Sequence, residues 1–370
     1  GRTPLSYAAM NGHMETIRAL LRDGQVDPNR QDRNCRTPLS WAAEYGHTET
    51  VRALLCDSRV DPGRQDNYGQ MPLSYAAWNG HTNIVRTLLC DSRVDPDQED
   101  KYGRTSLSRA AQDGHTEVVK ALLCDGRVNP DRKDNYGQTS LSKAAQNGHT
   151  EAVKVLLCDG RVDPNRQDRQ GQTLPSYAAK NGHAEIVRTL LCNGRVDPDR
   201  QDRQGQTPLG YAVRNGRIEV VKTLLCDSRV DPDRQDNYGR TPLSKAAQNG
   251  YTDVVKILLY DGRADPNRRD MEDETPLSYA AKNGHVEVVR ALLSDGRVDP
   301  DRQDKQGRTP LSWAARNGHT EVVRVLLCDG RADPAQQDDK GRKPLSYAAL
   351  NYHMKTVMAL LFHGRFRSIG

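Results

Sequence analysis

Thr3-Pro4-Leu5-Ser6 stands at the start of the chain, and the same beat returns every 34 residues as far as Lys343-Pro344-Leu345-Ser346. Counting variants, the register holds eleven times, beginning at Gly1, Cys35, Gly69, Gly103, Gly137, Gly171, Gly205, Gly239, Asp273, Gly307 and Gly341. A fixed period in the range of about 20–50 residues marks a repeat architecture, in which each unit buries its apolar face only against its neighbours. The reading is therefore a single repeat domain over 1–370. Its units are 1–34, 35–68, 69–102, 103–136, 137–170, 171–204, 205–238, 239–272, 273–306, 307–340 and 341–370.

One unit shows how the beat becomes structure. Thr241 offers a hydroxyl to free helical N–H groups, and Pro242 fits the first helical position. Leu243, Ala246 and Ala247 then form an apolar stripe at helical spacing. Asn249-Gly250 stops this helix, because glycine enters the left-handed region at little cost. A second helix starts at Thr252, with Asp253 near its positive end and Val254, Val255, Leu258 and Leu259 on its buried side. Asp261-Gly262 ends it, and Pro266 prevents it from resuming. The Asp236-Asn237-Tyr238-Gly239 pattern reads as a tight β-turn. Helices of two or three turns are unstable alone in water, so cohesion must come from stacking. The fold expected is all-α: an α-solenoid of helix-turn-helix units with β-turn or hairpin tips.

Composition agrees with a thin, repeated core. The chain has two Phe, 5 % aromatic residues, a mean hydropathy of −0.82 and a net charge of +5. That charge is too mild to indicate nucleic-acid binding by itself. Seven of the eight cysteines (Cys56, Cys90, Cys124, Cys158, Cys192, Cys226 and Cys328) share one repeat position. Neighbouring helices about 8–10 Å apart hold such positions beyond disulfide reach, so free thiols and an intracellular, preferably cytoplasmic, setting are expected. No run of about 18 apolar residues suggests a membrane span. The chain begins within a repeat and without Met, which reads as a fragment of a longer protein. The last unit diverges, with Tyr352 in place of Gly and a tail from His363 to Gly370, which reads as a cap or a truncation.

Thr-Pro-Leu-x-x-Ala-Ala, Gly-His, Val-Val, Leu-Leu and Asp-x-x-Gly together resemble the ankyrin repeat. Two features depart from that pattern. Ser replaces the usual His after Thr-Pro-Leu in ten of eleven units, with Gly210 in the other, and the period is 34. The longer loop resembles the ankyrin tails of large fungal proteins, which often carry a nucleotide-binding switch domain ahead of the repeats. The resemblance implies a protein-binding surface on the first-helix face and the turn tips, and a structural hydrogen bond for the recurring His.

Two positions on the first-helix face vary in an informative way. The residue before Ala-Ala includes Trp41, Arg109, Lys143, Lys245 and Trp313, and the residue after it includes Trp78, Lys180, Arg214, Lys282 and Arg316. From Arg109 to Arg316 these two positions hold seven basic residues and no acid. The tips add Tyr68, Tyr102, Tyr136 and Tyr238, and Tyr and Arg are the residue types enriched at interface hot spots. These fourteen residues are the candidate partner-binding set. The tyrosine and tryptophan rings are expected to be partly buried, and the basic residues to form an exposed band for an acidic peptide or protein.

The His and Cys ladders do not gather ligands around a point, and no phosphate loop, nucleophile elbow or Rossmann glycine pattern is present. No catalytic residue, cofactor or metal is expected. The reading is a monomeric, non-catalytic protein-interaction scaffold. Its alternatives are a ligand-sensing region that regulates a switch domain outside this sequence, and a less favoured polyanion- or nucleic-acid-binding face. Ser106 and Ser140 in place of Pro, the inverted Leu174-Pro175 and the acidic Met271–Glu274 turn mark the units expected to be softest.

Overall fold

The computed structural model describes residues 1–366; Arg367–Gly370, at the end of the divergent tail, lie outside the described residues. Within them the chain forms 22 helices and no strand. The helices fall into eleven pairs, from Pro4–Asn11 with Met14–Arg22 to Pro344–Leu350 with Met354–Phe366. The tips are turns only. The chain divides into two compact bodies, residues 1–178 with 189–196, and residues 179–188 with 197–370.

In the first body, the first helices Pro4–Asn11, Pro38–Tyr45, Pro72–Trp78, Ser106–Gln112 and Ser140–Asn147 pack successively side by side. In the second body, Pro208–Arg214, Pro242–Asn249, Pro276–Asn283, Pro310–Arg316 and Pro344–Leu350 do the same. The second helices form a parallel row within each body. What permits this close stacking is alanine at the eighth repeat position, 4 % exposed at Ala8 and fully buried from Ala42 to Ala348. A larger side chain there would overpack the row at a cost of about 1–3 kcal/mol.

Local chemistry sets the helix limits. Thr241 Oγ1 accepts from the Ser244 N–H at 3.1 Å, and the Gly250 backbone turns left-handed (φ 73°) to end the helix. Ser106 and Ser140 leave this start unchanged, since Thr105 and Thr139 still accept from Ser108 and Ser142. The inversion at Leu174-Pro175 is also absorbed. Leu174 stays 2 % exposed, and Pro175 falls where no helical N–H partner is required. The acidic turn likewise keeps its shape, with the Asp273 N–H on the Asp270 carbonyl at 3.1 Å. Asp273 takes the left-handed position (φ 59°) that glycine fills elsewhere.

Four kinds of contact fasten one unit to the next. The recurring His donates through Nε2 to a carbonyl of the preceding unit: His47 to Met10, His81 to Glu44 and His115 to Trp78, all at 2.9 Å. Because a carbonyl only accepts, the proton must be on Nε2. The ring lies on the helix-ending glycine, where a Cβ at Gly12 would come within 2.7 Å of His47 Nδ1. A single backbone bond joins successive tips, as from Lys101 N–H to the Tyr68 carbonyl at 3.1 Å.

The Asp-x-Arg element that ends the second helix in eight of the eleven units forms a clamp. Asp125 holds Arg127 through both carboxylate oxygens, and Arg127 then donates to the Leu89 and Val94 carbonyls at 2.8 Å. It thereby satisfies an orphaned carbonyl at the end of the previous unit's helix. The Arg127 guanidinium holds the Asp125 carboxyl below its usual range. In the following loop Asn29 accepts from Asp61 N–H at 2.8 Å and donates to the Arg59 carbonyl at 2.6 Å. Asp97, Asp131, Asp233 and Asp301 occupy the same register position and accept from the next unit's backbone. Burial pushes these carboxyls up, and Asp199, also in this register, to about 6.

Two junctions in the second body lack the His contact. Arg217 reaches the Lys180 carbonyl only at 3.5 Å, and the Tyr251 hydroxyl makes no hydrogen bond among the described residues. Restoring the hydrogen bond with Arg217→His or Tyr251→His should raise unfolding stability by about 1 kcal/mol per site. Denaturant unfolding checks this; no gain at either site would contradict the role assigned to the His ladder.

Candidate interaction surface

Each tip is built around one aspartate. In the unit from Asp66 onward, Oδ1 accepts from the Tyr68 and Gln70 N–H groups, both at 2.8 Å. The second oxygen, Oδ2, accepts from a side chain nine residues later on the first helix, here the Tyr75 hydroxyl at 2.5 Å. The same pair recurs in ten consecutive units while its donor changes. Trp41 and Trp313 donate from indole Nε1 to Asp32 and Asp304, at 3.2 and 3.0 Å. Tyr177, Tyr211, Tyr279 and Tyr347 use their hydroxyls.

Arg109, Lys143 and Lys245 fill the same place as cations. They lie 3.2, 2.8 and 3.1 Å from Asp100, Asp134 and Asp236. These three residues are only 6–7 % exposed. The expectation that they join an exposed basic band gives way to this geometry: their charge neutralises a buried carboxylate. Burial pushes the Arg109 and Lys245 cations down from their ordinary values. Burial and the Asp338 carboxylate push the Tyr347 hydroxyl up to about 12. Trp41 and Trp313, at 4 % and 6 % exposure, are equally internal.

The position after Ala-Ala points outward. In the first body it carries Met10, Glu44, Trp78, Gln112 and Gln146, with Trp78 41 % exposed and the Arg109 guanidinium 4.5 Å from its ring centre. In the second body it carries Lys180, Arg214, Gln248, Lys282, Arg316 and Leu350. Lys180, Arg214 and Arg316 are exposed and have no carboxylate partner among the described residues. Lys282 is half-buried, paired with Glu274 at 2.7 Å and 4.3 Å from the Trp313 ring centre. The tip residues Tyr68, Tyr102, Tyr136 and Tyr238 are all exposed, and Arg104 and Arg240 lie against Tyr102 and Tyr238.

The candidate set thus separates into internal donors and outward side chains. The separating signal is in the sequence: an aspartate stands nine residues before every one of the internal donors. All eight cysteines are free, with Cys35 half-buried and the other seven exposed. No group of His, Cys, Asp and Glu among the described residues could hold a metal ion, and no helix there is long and apolar enough to cross a membrane.

Lys143→Leu would strand the Asp134 carboxylate and should cost about 3 kcal/mol. Lys143→Tyr recreates the donor used elsewhere and should stay within about 1 kcal/mol of wild type. Equal losses in chemical denaturation for the two variants would show that Lys143 serves no such pairing.

A profile of three consecutive ankyrin repeats matches residues 1–66, 73–168, 144–236, 176–270, 228–304, 262–338 and 296–368. A comparison with curated protein sequences gave no match. With helix pairs, turn tips and profile matches in one register from the first unit to the last, the chain belongs to the ankyrin-repeat family.

Proposed function

We propose that this chain is a non-catalytic, monomeric scaffold that binds an acidic protein segment on its first-helix face and turn tips. Ankyrin repeats are in general protein–protein interaction modules. The observation that carries the finer reading is the row of exposed, carboxylate-free cations Lys180, Arg214 and Arg316 in the second body. Packing does not account for them, because the buried carboxylates of their units already have other donors. An exposed cation without a carboxylate partner keeps its capacity for charge-assisted hydrogen bonds.

The first body offers a different surface, neutral and aromatic, through Trp78 and the tip residues Tyr68, Tyr102 and Tyr136. Such rings supply contact area at low entropy cost. Free thiols on an exposed position fit an intracellular, reducing compartment.

Selection of a random peptide library on this protein should enrich sequences rich in Asp and Glu. The triple variant K180E/R214E/R316E should bind those peptides at least about tenfold more weakly, with a flatter salt dependence. Enrichment of neutral or basic peptides, or unchanged affinity in the variant, would contradict the proposal. A preference for single-stranded nucleic acid over the peptides, with affinity falling by roughly one log unit per phosphate over a tenfold rise in salt, would favour the polyanion reading.

A further inference from the structure

The second body contains a polar cavity of about 380 Å³ between the units that begin at Gly205 and Gly239. Arg214, Arg240 and Lys245 line it, with Tyr238, Gln206 and Gln248, and no acidic side chain does. Among the described residues, the carboxylate paired with Arg240 and Lys245 is Asp236, which does not line the cavity and has its side chain 1 % exposed. Its Oδ2 takes both Arg240, at 3.0 Å, and Lys245, at 3.1 Å. Two of the three cations therefore share one buried anion while Arg214 has none, and the excess positive charge faces the cavity.

Donor capacity is left over as well. Lys245 Nζ uses two of its three hydrogens, on Asp236 and on Gln206 Oε1 at 2.8 Å. Arg240 gives only Nε and Nη2 to Asp236. Arg214 makes no hydrogen bond or ion pair among the described residues.

Gly210 and Lys245 occur together at this junction alone. Position 210 is Gly where the other ten units have Ser, and a Cβ there would stand 3.3 Å from Gln206 Oε1 and 3.6 Å from Lys245 Nζ. The missing side chain lets Lys245 reach across to the preceding unit, whereas Lys143 turns to Gln138 of its own unit. Lys245 is also narrower than the Tyr or Trp that most units place here. Neighbouring junctions carry other side chains in these places. Glu274 takes the place of Arg240 and binds Lys282, and Trp313 fills the Lys245 position with Arg308 and Lys282 against its faces.

We propose that this cavity is the anchoring site for a carboxylate side chain of the acidic partner, held by Arg214, Arg240 and Lys245 with Tyr238 packing against its stem. The proposal rests on the interaction reading above and assigns its specificity to one junction. A planar carboxylate matches the fork of an unpaired guanidinium, and the cavity has no other anion to compete with it.

The test uses the whole chain and a fluorescein-labelled octaglutamate peptide, with octaglutamine as its neutral counterpart. Anisotropy titrations should show binding of octaglutamate only. Arg214→Ala should weaken it about tenfold, and Lys180→Ala and Arg316→Ala about two- to threefold. Arg214→Ala should not change the thermal melt, since Arg214 holds no partner in the fold. Equal losses for the three variants would overturn the anchoring site while leaving the acidic-partner reading in place. No octaglutamate binding by the wild type would overturn both. Displacement of the peptide by inorganic phosphate at lower concentration than by glutarate, with that advantage lost in Arg214→Ala, would overturn the carboxylate assignment in favour of a phosphorylated residue.

Discussion

The structure depends on a single repeated carboxylate. Each tip aspartate ties its turn to the first helix that follows, with Oδ1 accepting from backbone N–H groups and Oδ2 meeting a donor or cation nine residues later. Asp66 with Tyr75 and Asp304 with Trp313 are two forms of the same bond. A buried carboxylate left without donors would be strongly unfavourable, so the first helix must always present one. The chemistry of that donor is otherwise free to vary, and it does so among phenol, indole, guanidinium and ammonium.

This constraint also fixes which side chains can face a partner. The donor position is committed to the interior, and the position three residues later, after Ala-Ala, is left to point out. Stacking depends on a different set of contacts, all running from one unit to the next: His to a carbonyl, Arg to the orphaned end of a helix, and one backbone bond between tips. Each is modest by itself, and many are partly exposed, where ion pairs contribute only about 0–1 kcal/mol. Their effect comes from repetition along rows of short helices that could not persist alone.

Much of this was legible in the amino-acid sequence. The 34-residue beat, both helices and their caps follow from local chemistry that the units repeat, and the structural role of the His ladder was what the ankyrin resemblance implied. The misreading of Arg109, Lys143 and Lys245 has a definite cause. A charged residue is ordinarily a surface residue, and only the aspartate nine positions upstream shows that these are not. Leu174 stays in the core because a helix start tolerates Pro at either of its first positions. The cavity near Arg214 was not legible, since it depends on the room around Gly210 and on the path that Lys245 takes to Gln206 of the preceding unit. Those are properties of packed volume, to which residue periodicity is blind.

Lysine reactivity tests the division between internal donors and outward cations most directly. Brief acetylation of the native protein, followed by peptide mass spectrometry, should label Lys180 rapidly and leave Lys143 and Lys245 protected until the chain is unfolded. Lys143 and Lys245 labelled as fast as Lys180 in the native state would contradict the buried pairing with Asp134 and Asp236 on which the account rests.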